Sequence, residues 1–232
     1  MMTRISPTRA ATASLALLVL AVGAVPQAQA QGAGTPAPIK LPVPREKSEV
    51  SVEQALRTRH FLHLPATAPL TLAEIGQLLW AAQGVVGDHG RRTVPSAGTL
   101  HPLEIVLVAG SVEGLRPGVY RYRPEGHELV QTVEGDRRQL IETACQFREY
   151  QEVPAIVLVM GVEARVAAML EAKAPRFVAL QAGAAAQNLV LQANALGLGC
   201  GLMAGFSDPK ASLILGTSAA EQVLAALTVG RE

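Results

Sequence analysis

From Pro175 to Leu196 the chain runs through a long segment that is apolar on most faces and dominated by alanine. A helix with so many small side chains can approach its neighbours closely, so this segment is expected to be the central helix of the fold. Gly197, directly after Leu196, fits the C-terminal cap of that helix. Gly199, Gly201 and Gly205 then follow in a run that reads as a strand. A dinucleotide fingerprint needs the opposite order, strand before the glycines and helix after, because the helix N-terminus receives the pyrophosphate. The order and the G-x-G-x-G spacing speak against such a site.

Other segments carry their own signals. Ser51-Val52-Glu53-Gln54 has capping-box spacing and opens a short helix ending near Arg57. Thr71-Leu72-Ala73-Glu74 repeats it, starting a helix that buries Leu72, Ile75, Leu78 and Leu79 and stops at Gly84. Glu104 to Ala109 is rich in Val, Ile and Leu without clean alternation, as in a strand covered on both faces. Val119 to Tyr122 and His127 to Val133 flank Pro124-Glu125-Gly126, a hairpin signature. Asp136 caps another helix, Ala155 to Met160 is a second buried strand, Asp208-Pro209 starts a short helix, and Val223 to Val229 closes as a strand. The sequence of elements predicts an α+β domain, a central mixed β-sheet packed by helices in two or three layers.

The N-terminus is set apart from this fold. Arg4 and Arg9 precede an apolar stretch from Ala10 to Val25, and Ala28-Gln29-Ala30 supplies a small-x-small cleavage pattern. Residues 1–30 therefore read as a signal peptide with Gln31 as mature N-terminus, and export to the periplasm or beyond is expected, with no lasting membrane insertion. Residues 31–49, rich in proline and small side chains, read as an extended arm, and residues 50–232 as one domain. A net charge of +1 gives no reason to expect nucleic acid or an anionic membrane as partner. Aromatic residues make up only 3%, which argues against carbohydrate or single-strand stacking surfaces. Cys145 and Cys200, two thiols, make neither a disulfide framework nor a metal cage, and each is read as a small buried hydrophobe, with pairing the alternative.

Two blocks carry the chemistry. In Arg91-Arg92-Thr93-Val94-Pro95-Ser96-Ala97-Gly98-Thr99-Leu100-His101-Pro102, a polar loop lies between prolines; Gly98 leaves room for a planar ligand and Ser96 and Thr99 can hydrogen-bond it. By composition it also reads as a turn introducing the next strand. Arg57-Thr58-Arg59 stands at a helix end, and the planar fork of arginine suits a phosphate. With Ala182-Gly183-Ala184-Ala185-Ala186-Gln187-Asn188 and the stretch from Gly197 to Phe206, these blocks resemble the FMN-dependent nitroreductase family, in particular its azoline-oxidising branch from peptide maturation. Ile39-Lys40-Leu41-Pro42 is similar to the arm preceding the catalytic domain there.

The resemblance implies a nitroreductase-like three-layer sandwich and FMN as cofactor. It implies Arg57, Thr58 and Arg59 at the phosphate, with Pro95, Ser96, Ala97 and Gly98 against the ring. Leu202, Met203, Ala204 and Gly205 are expected to pass the ring edge through their backbone. It further implies hydride transfer to or from a small-molecule substrate, NAD(P)H or another reductant as donor, and a homodimer joined through the alanine-rich helix. The chain departs from the family at His101, where relatives have tyrosine, and at Gln181 and Ala184, where the branch carries glutamate and histidine. His101 is thus a substrate-side candidate. Beyond the last strand only Arg231 is basic. These departures support an alternative, a non-catalytic flavin or small-ligand binding protein of the envelope.

Other chemistries find less support. His60 and His63 have no Cys, Asp or Glu nearby to complete a metal site. Ser96 lacks the G-x-S-x-G elbow, and Ser-x-x-Lys is absent. Gln187 and Asn188 lie in an apolar helix and need partners, such as a neighbouring carbonyl.

Overall fold

The computed structural model describes residues 36–61, 66–145, 152–204 and 213–231. Strands β1 (Ile39–Lys40), β2 (Leu103–Ala109), β3 (Gly118–Arg123), β4 (Glu128–Glu134), β5 (Ala155–Gly161), β6 (Leu198–Met203) and β7 (Gln222–Arg231) form one sheet. Their order is β1-β4-β3-β2-β5-β7-β6. Helices α1 (Val52–Thr58), α2 (Leu72–Gln83), α3 (Arg138–Cys145), α4 (Ala164–Leu170) and α5 (Ala174–Ala195) accompany it. The signal-peptide residues, Gln31, His63, Gly205, Phe206, Asp208, Pro209 and the side chain of Cys145 lie outside the described residues.

The α+β class and the layering hold, but the sheet is not mixed: each of its six strand pairings is antiparallel. The helical crossover from β5 through α4 and α5 does bring β6 back parallel to β5. However, β7 inserts between them, antiparallel to both, so no parallel pair forms. That insertion is a long-range event which the local order of elements does not encode.

Both faces of the sheet are covered. On one, Ile75, Leu78 and Leu79 of α2 and Ala182, Ala185 and Leu189 of α5 pack on the inward residues of β2, β5 and β7. On the other, Ile141 of α3 and Leu215 of a helical turn at 213–215 cover Val106, Val108, Ile156, Leu158 and Ala226. The result is three layers, and it explains why every residue of β5 is buried.

Three of the four helix-start signals read from sequence fall at helix starts. Thr71 and Glu74 form a complete capping box, whereas at α1 the Ser51 side chain accepts from the Gln54 N–H. Leu72, expected in the core, packs only at its margin. Asp136 accepts from the Arg138 N–H at the start of α3. Helix α5 carries Pro175 in its first turn and ends at Gly197, whose φ of 67° lets the chain turn straight into β6. Gly199 and Gly201 are strand residues of β6. Cys200 beside them is a free, buried thiol whose pKa burial pushes up to about 12, so it packs as a hydrophobe.

The described part of the arm is tied down. β1 pairs with β4, and the Gln77 amide exchanges two hydrogen bonds with the backbone of Arg45, at 2.7 and 3.1 Å. His127 Nε2 lies 2.9 Å from the Pro42 carbonyl.

Candidate active site

Helix α5 is the common scaffold for the blocks singled out in the sequence. Asn188 donates from Nδ2 to the carbonyls of Ala81 and Thr93, both at 3.1 Å, which joins α5 to α2 and to the start of the proline-bounded loop. Asn194 donates to the Ala55 carbonyl at 2.7 Å and to Thr58 Oγ1 at 2.9 Å, which holds the end of α1. These two anchors are separated by roughly 9 Å along the helix axis. β6 starts immediately beyond α5. Between α1, α2, α5 and Thr93 lies a cleft of about 270 Å³, bounded by Ala55, Trp80, Asn188 and Leu191. Gln187, one residue before Asn188, is exposed.

Arg57 and Arg59 project from the end of α1, exposed, and neither has an ion-pair partner among the described residues. Thr58 between them is engaged differently. Its hydroxyl donates to the Gln54 carbonyl and receives Asn194, so it serves the helix end. Arg231 is also committed, held by both carboxylate oxygens of Glu74 at 2.6 and 3.1 Å. Burial raises the Glu74 pKa, but hydrogen bonds from Thr71 and Arg231 outweigh it, and the net shift is downward. The arginines of α1 are therefore the better placed to meet an external anion.

The loop after Thr93 is built on unusual backbone. Pro95 is exposed, Ala97 to Thr99 form a single 3-10 turn, and Gly98, Thr99 and His101 have φ of 58°, 55° and 44°. Left-handed backbone is unfavourable for non-glycine residues and extreme for a β-branched one. The loop closes on itself: Ser96 Oγ accepts from the His101 N–H at 2.8 Å, and the Leu100 N–H donates to the Ala97 carbonyl. A Cβ on Gly98 would come within 2.9 Å of the Met169 sulfur and methyl of α4. Gly98→Val is expected to lower stability by about 1–2 kcal/mol through left-handed strain, measured by denaturant unfolding, and Gly98→Asn by distinctly less. Equal costs for the two would mean that crowding against Met169, not backbone strain, makes glycine necessary.

At the far edge, Leu202 is exposed, Met203 buried and Ala204 exposed, the alternation of a strand end.

Behind the loop the structure assembles a second, polar cavity of about 500 Å³. His101 reaches it together with Gln83 at the end of α2, Arg92, Arg121 and Tyr122 of β3, and Glu125 at the hairpin tip. Arg121 is bidentate to Glu221, both contacts 2.9 Å, and also pairs with Glu104 at 3.0 Å; Arg165 pairs with Glu104, and Arg92 with Glu125. Burial, with the Arg92 charge second, lowers the His101 pKa and favours a neutral ring. Burial likewise raises that of Tyr122. Sequence reasoning singled out His101 alone of these residues, because α2, the hairpin and the loop meet only in three dimensions.

Among the described residues no three His, Cys, Asp or Glu side chains gather as a metal site, and no helix is long and apolar enough to cross a membrane.

The three-layer α+β domain, with its Pro-Ser-Ala-Gly loop left-handed from Gly98 on and its long small-residue helix, defines the class as the nitroreductase-like fold. A solved structure from Ralstonia eutropha described as a candidate nitroreductase superposes with a TM-score of 0.72 at 25% identity, covering 84% of this chain and 89% of that one. A chain of an Escherichia coli microcin synthetase complex, solved with a truncated microcin precursor bound, superposes with a TM-score of 0.64 at 20% identity, over 91% of this chain and 84% of that one. A Methanocaldococcus jannaschii protein named as a candidate nitroreductase is 33% identical over 185 residues, 79% of this chain and 92% of its own length. The profile of the Nitroreductase family matches residues 59–231, and the chain belongs to that family. Membership makes it an oxidoreductase by descent.

Proposed function

We propose that the protein is an FMN-dependent oxidoreductase that passes hydride to or from a small organic substrate. The observation that carries this reading is the pair Arg57 and Arg59: two exposed guanidinium groups with no acid partner among the described residues, in a member of this family. A flavin phosphate brings close to two negative charges, which this pair matches. FMN, when bound, supplies hydride acceptance and donation. The chain's own residues bind and orient. Arg57 and Arg59 would hold the phosphate, and the 95–98 loop, with no side chain at Gly98, would lie against the ring. The backbone of 202–204 would pass its edge, and His101 would border the substrate.

A homodimer fits the surface of α5. Phe177 and Leu180 are 37% and 63% exposed on this helix, and Val52 and Leu56 on neighbouring α1 are 66% and 53% exposed. Export with cleavage before Gln31 remains part of the proposal, and NAD(P)H or another reductant supplies electrons.

The rival reading, a flavin-holding protein without turnover, is favoured by two observations. Arg231 is spent on Glu74, and Gln181, where the azoline-oxidising branch has a glutamate, is buried with both amide atoms unpartnered.

Titrating the purified protein with FMN is expected to give a yellow species with near-stoichiometric flavin absorbance. No spectral change and no thermal shift at saturating FMN would remove the proposal. Steady-state reduction of a nitroaromatic or quinone by NADH separates the two readings: ping-pong turnover supports the enzyme, binding without turnover the holder.

A further inference from the structure

The polar cavity behind the 95–98 loop carries more positive than negative charge. Arg92, Arg121, Arg123 and Arg165 line it, against two acids, Glu104 and Glu125. Two further acids pair with these arginines, Glu221 with Arg121 and Glu128 with Arg123, and Glu128 is itself held by Lys40 at 2.7 Å. Two of the acids are thus shared: Glu104 serves Arg121 and Arg165, and Glu128 serves Lys40 and Arg123. Among the described residues this set comprises five cations and four carboxylates, which leaves one positive charge unmatched.

The surplus has a location. Arg121 and Arg123 stand two residues apart on β3 and so share one face of the sheet. Arg121 is committed, bidentate to Glu221 and in contact with Glu104. Arg123 is not. Among the described residues its side chain meets an acid only at 3.9 Å, beyond hydrogen-bond range, and it is 50% exposed. Arg165 gives one Nη to the His101 carbonyl at 3.0 Å and the other to Glu104, which leaves further N–H groups on a side chain 41% exposed. A molecule entering from solvent can therefore reach both guanidinium groups. Leu100, on the same wall and 39% exposed, offers apolar surface to the rest of that molecule.

The class of ligand follows from charge and shape. One unmatched positive charge calls for a monoanion. A phosphate group carries closer to two negative charges, which exceeds the surplus and sets the excess against Glu104. A carboxylate carries one, and its two oxygens match the planar donor fork of arginine.

We infer that this cavity binds a small aliphatic monocarboxylate, its anionic end on Arg123 and Arg165 and its apolar body against Leu100. As a statement about substrate it rests on the proposed oxidoreductase reading, because His101 lines the same cavity; the binding itself needs no flavin. Calorimetric titration of the purified protein, FMN-free and FMN-supplied, with hexanoate, hexanamide and hexylamine compares three end groups on one chain length. Hexanoate is expected to bind about tenfold more tightly than either, and to weaken as salt is raised, because exposed charges are screened. Arg123→Gln should lose about tenfold in hexanoate affinity at an unchanged melting temperature, since its side chain gives up no hydrogen bond. If that variant does not fold, Arg165→Gln decides instead, with the same expected loss of hexanoate. No hexanoate binding in either preparation, equal binding of the three ligands, tighter binding of inorganic phosphate, or hexanoate affinity untouched in the folded variant overturns the inference. FMN uptake without hexanoate binding defeats this inference alone. Hexanoate binding without FMN uptake defeats the oxidoreductase reading and leaves the carboxylate site standing.

Discussion

Replacing Arg57 and Arg59 together by methionine is expected to weaken FMN binding about a hundredfold, or about 3 kcal/mol, with no loss of stability. Hydrogen bonds to charged groups are worth about 1.5–3 kcal/mol each. Two arginines on a phosphate would give more than 3 kcal/mol if fully buried, but both side chains stand in solvent, where screening trims the gain. Stability should be unaffected because neither has an ion-pair partner among the described residues to lose. Thr58→Ala is the informative contrast. It deprives Asn194 of one acceptor at 2.9 Å, so it should cost a little stability and leave FMN affinity nearly unchanged. The measurement is quenching of flavin fluorescence on titration, beside urea unfolding of each variant. Full affinity in the double variant would move the phosphate elsewhere, and Arg231 could take it only by leaving Glu74.

Asn188→Leu is expected to cost about 2–4 kcal/mol of folding stability. Its amide is the shared donor to the Ala81 and Thr93 carbonyls, and Ala81 is buried. Leucine conserves much of the volume but leaves both acceptors short of a donor, at about 1–3 kcal/mol each where water cannot replace it. The same change frees the loop that runs from Thr93 into Pro95–Gly98, so FMN affinity should fall with it if that loop contacts the ring. Gln187→Leu, one residue earlier and exposed, should stay within about 0.5 kcal/mol of the parent. Chemical unfolding of the two variants checks this, and a near-neutral Asn188→Leu would show that α2 and the loop are held by packing alone.

That pair of neighbours shows where local reading stops. In the sequence Gln187 and Asn188 are two amides in an alanine-rich helix, with equal claims to a partner. A rotation of about 100° per residue separates them, and only the placement of α2 and Thr93 decides which one is inside. Thr58 and Arg231 make the same point. As types they suit a phosphate, but Thr58 closes the end of α1 and Arg231 is taken by Glu74, from a helix far away in the chain.

What the sequence by itself determined was everything governed by neighbours in the chain. The Thr71–Glu74 capping box, the hairpin around Pro124-Glu125-Gly126, the helix read from Pro175 to Leu196 and its stop at Gly197 depend on contacts within a few residues. The runs of Val, Ile and Leu in β2 and β5 already announced burial on both faces. The tertiary structure alone decided the rest. It inserted β7 between β5 and β6 and so made the sheet wholly antiparallel. It also brought Gln83, Arg92, His101, Arg121 and Glu125 around one cavity. Strand pairing and side-chain convergence over such separations are set by how covered faces exclude water together, a property of the assembled layers that no short stretch of chain carries.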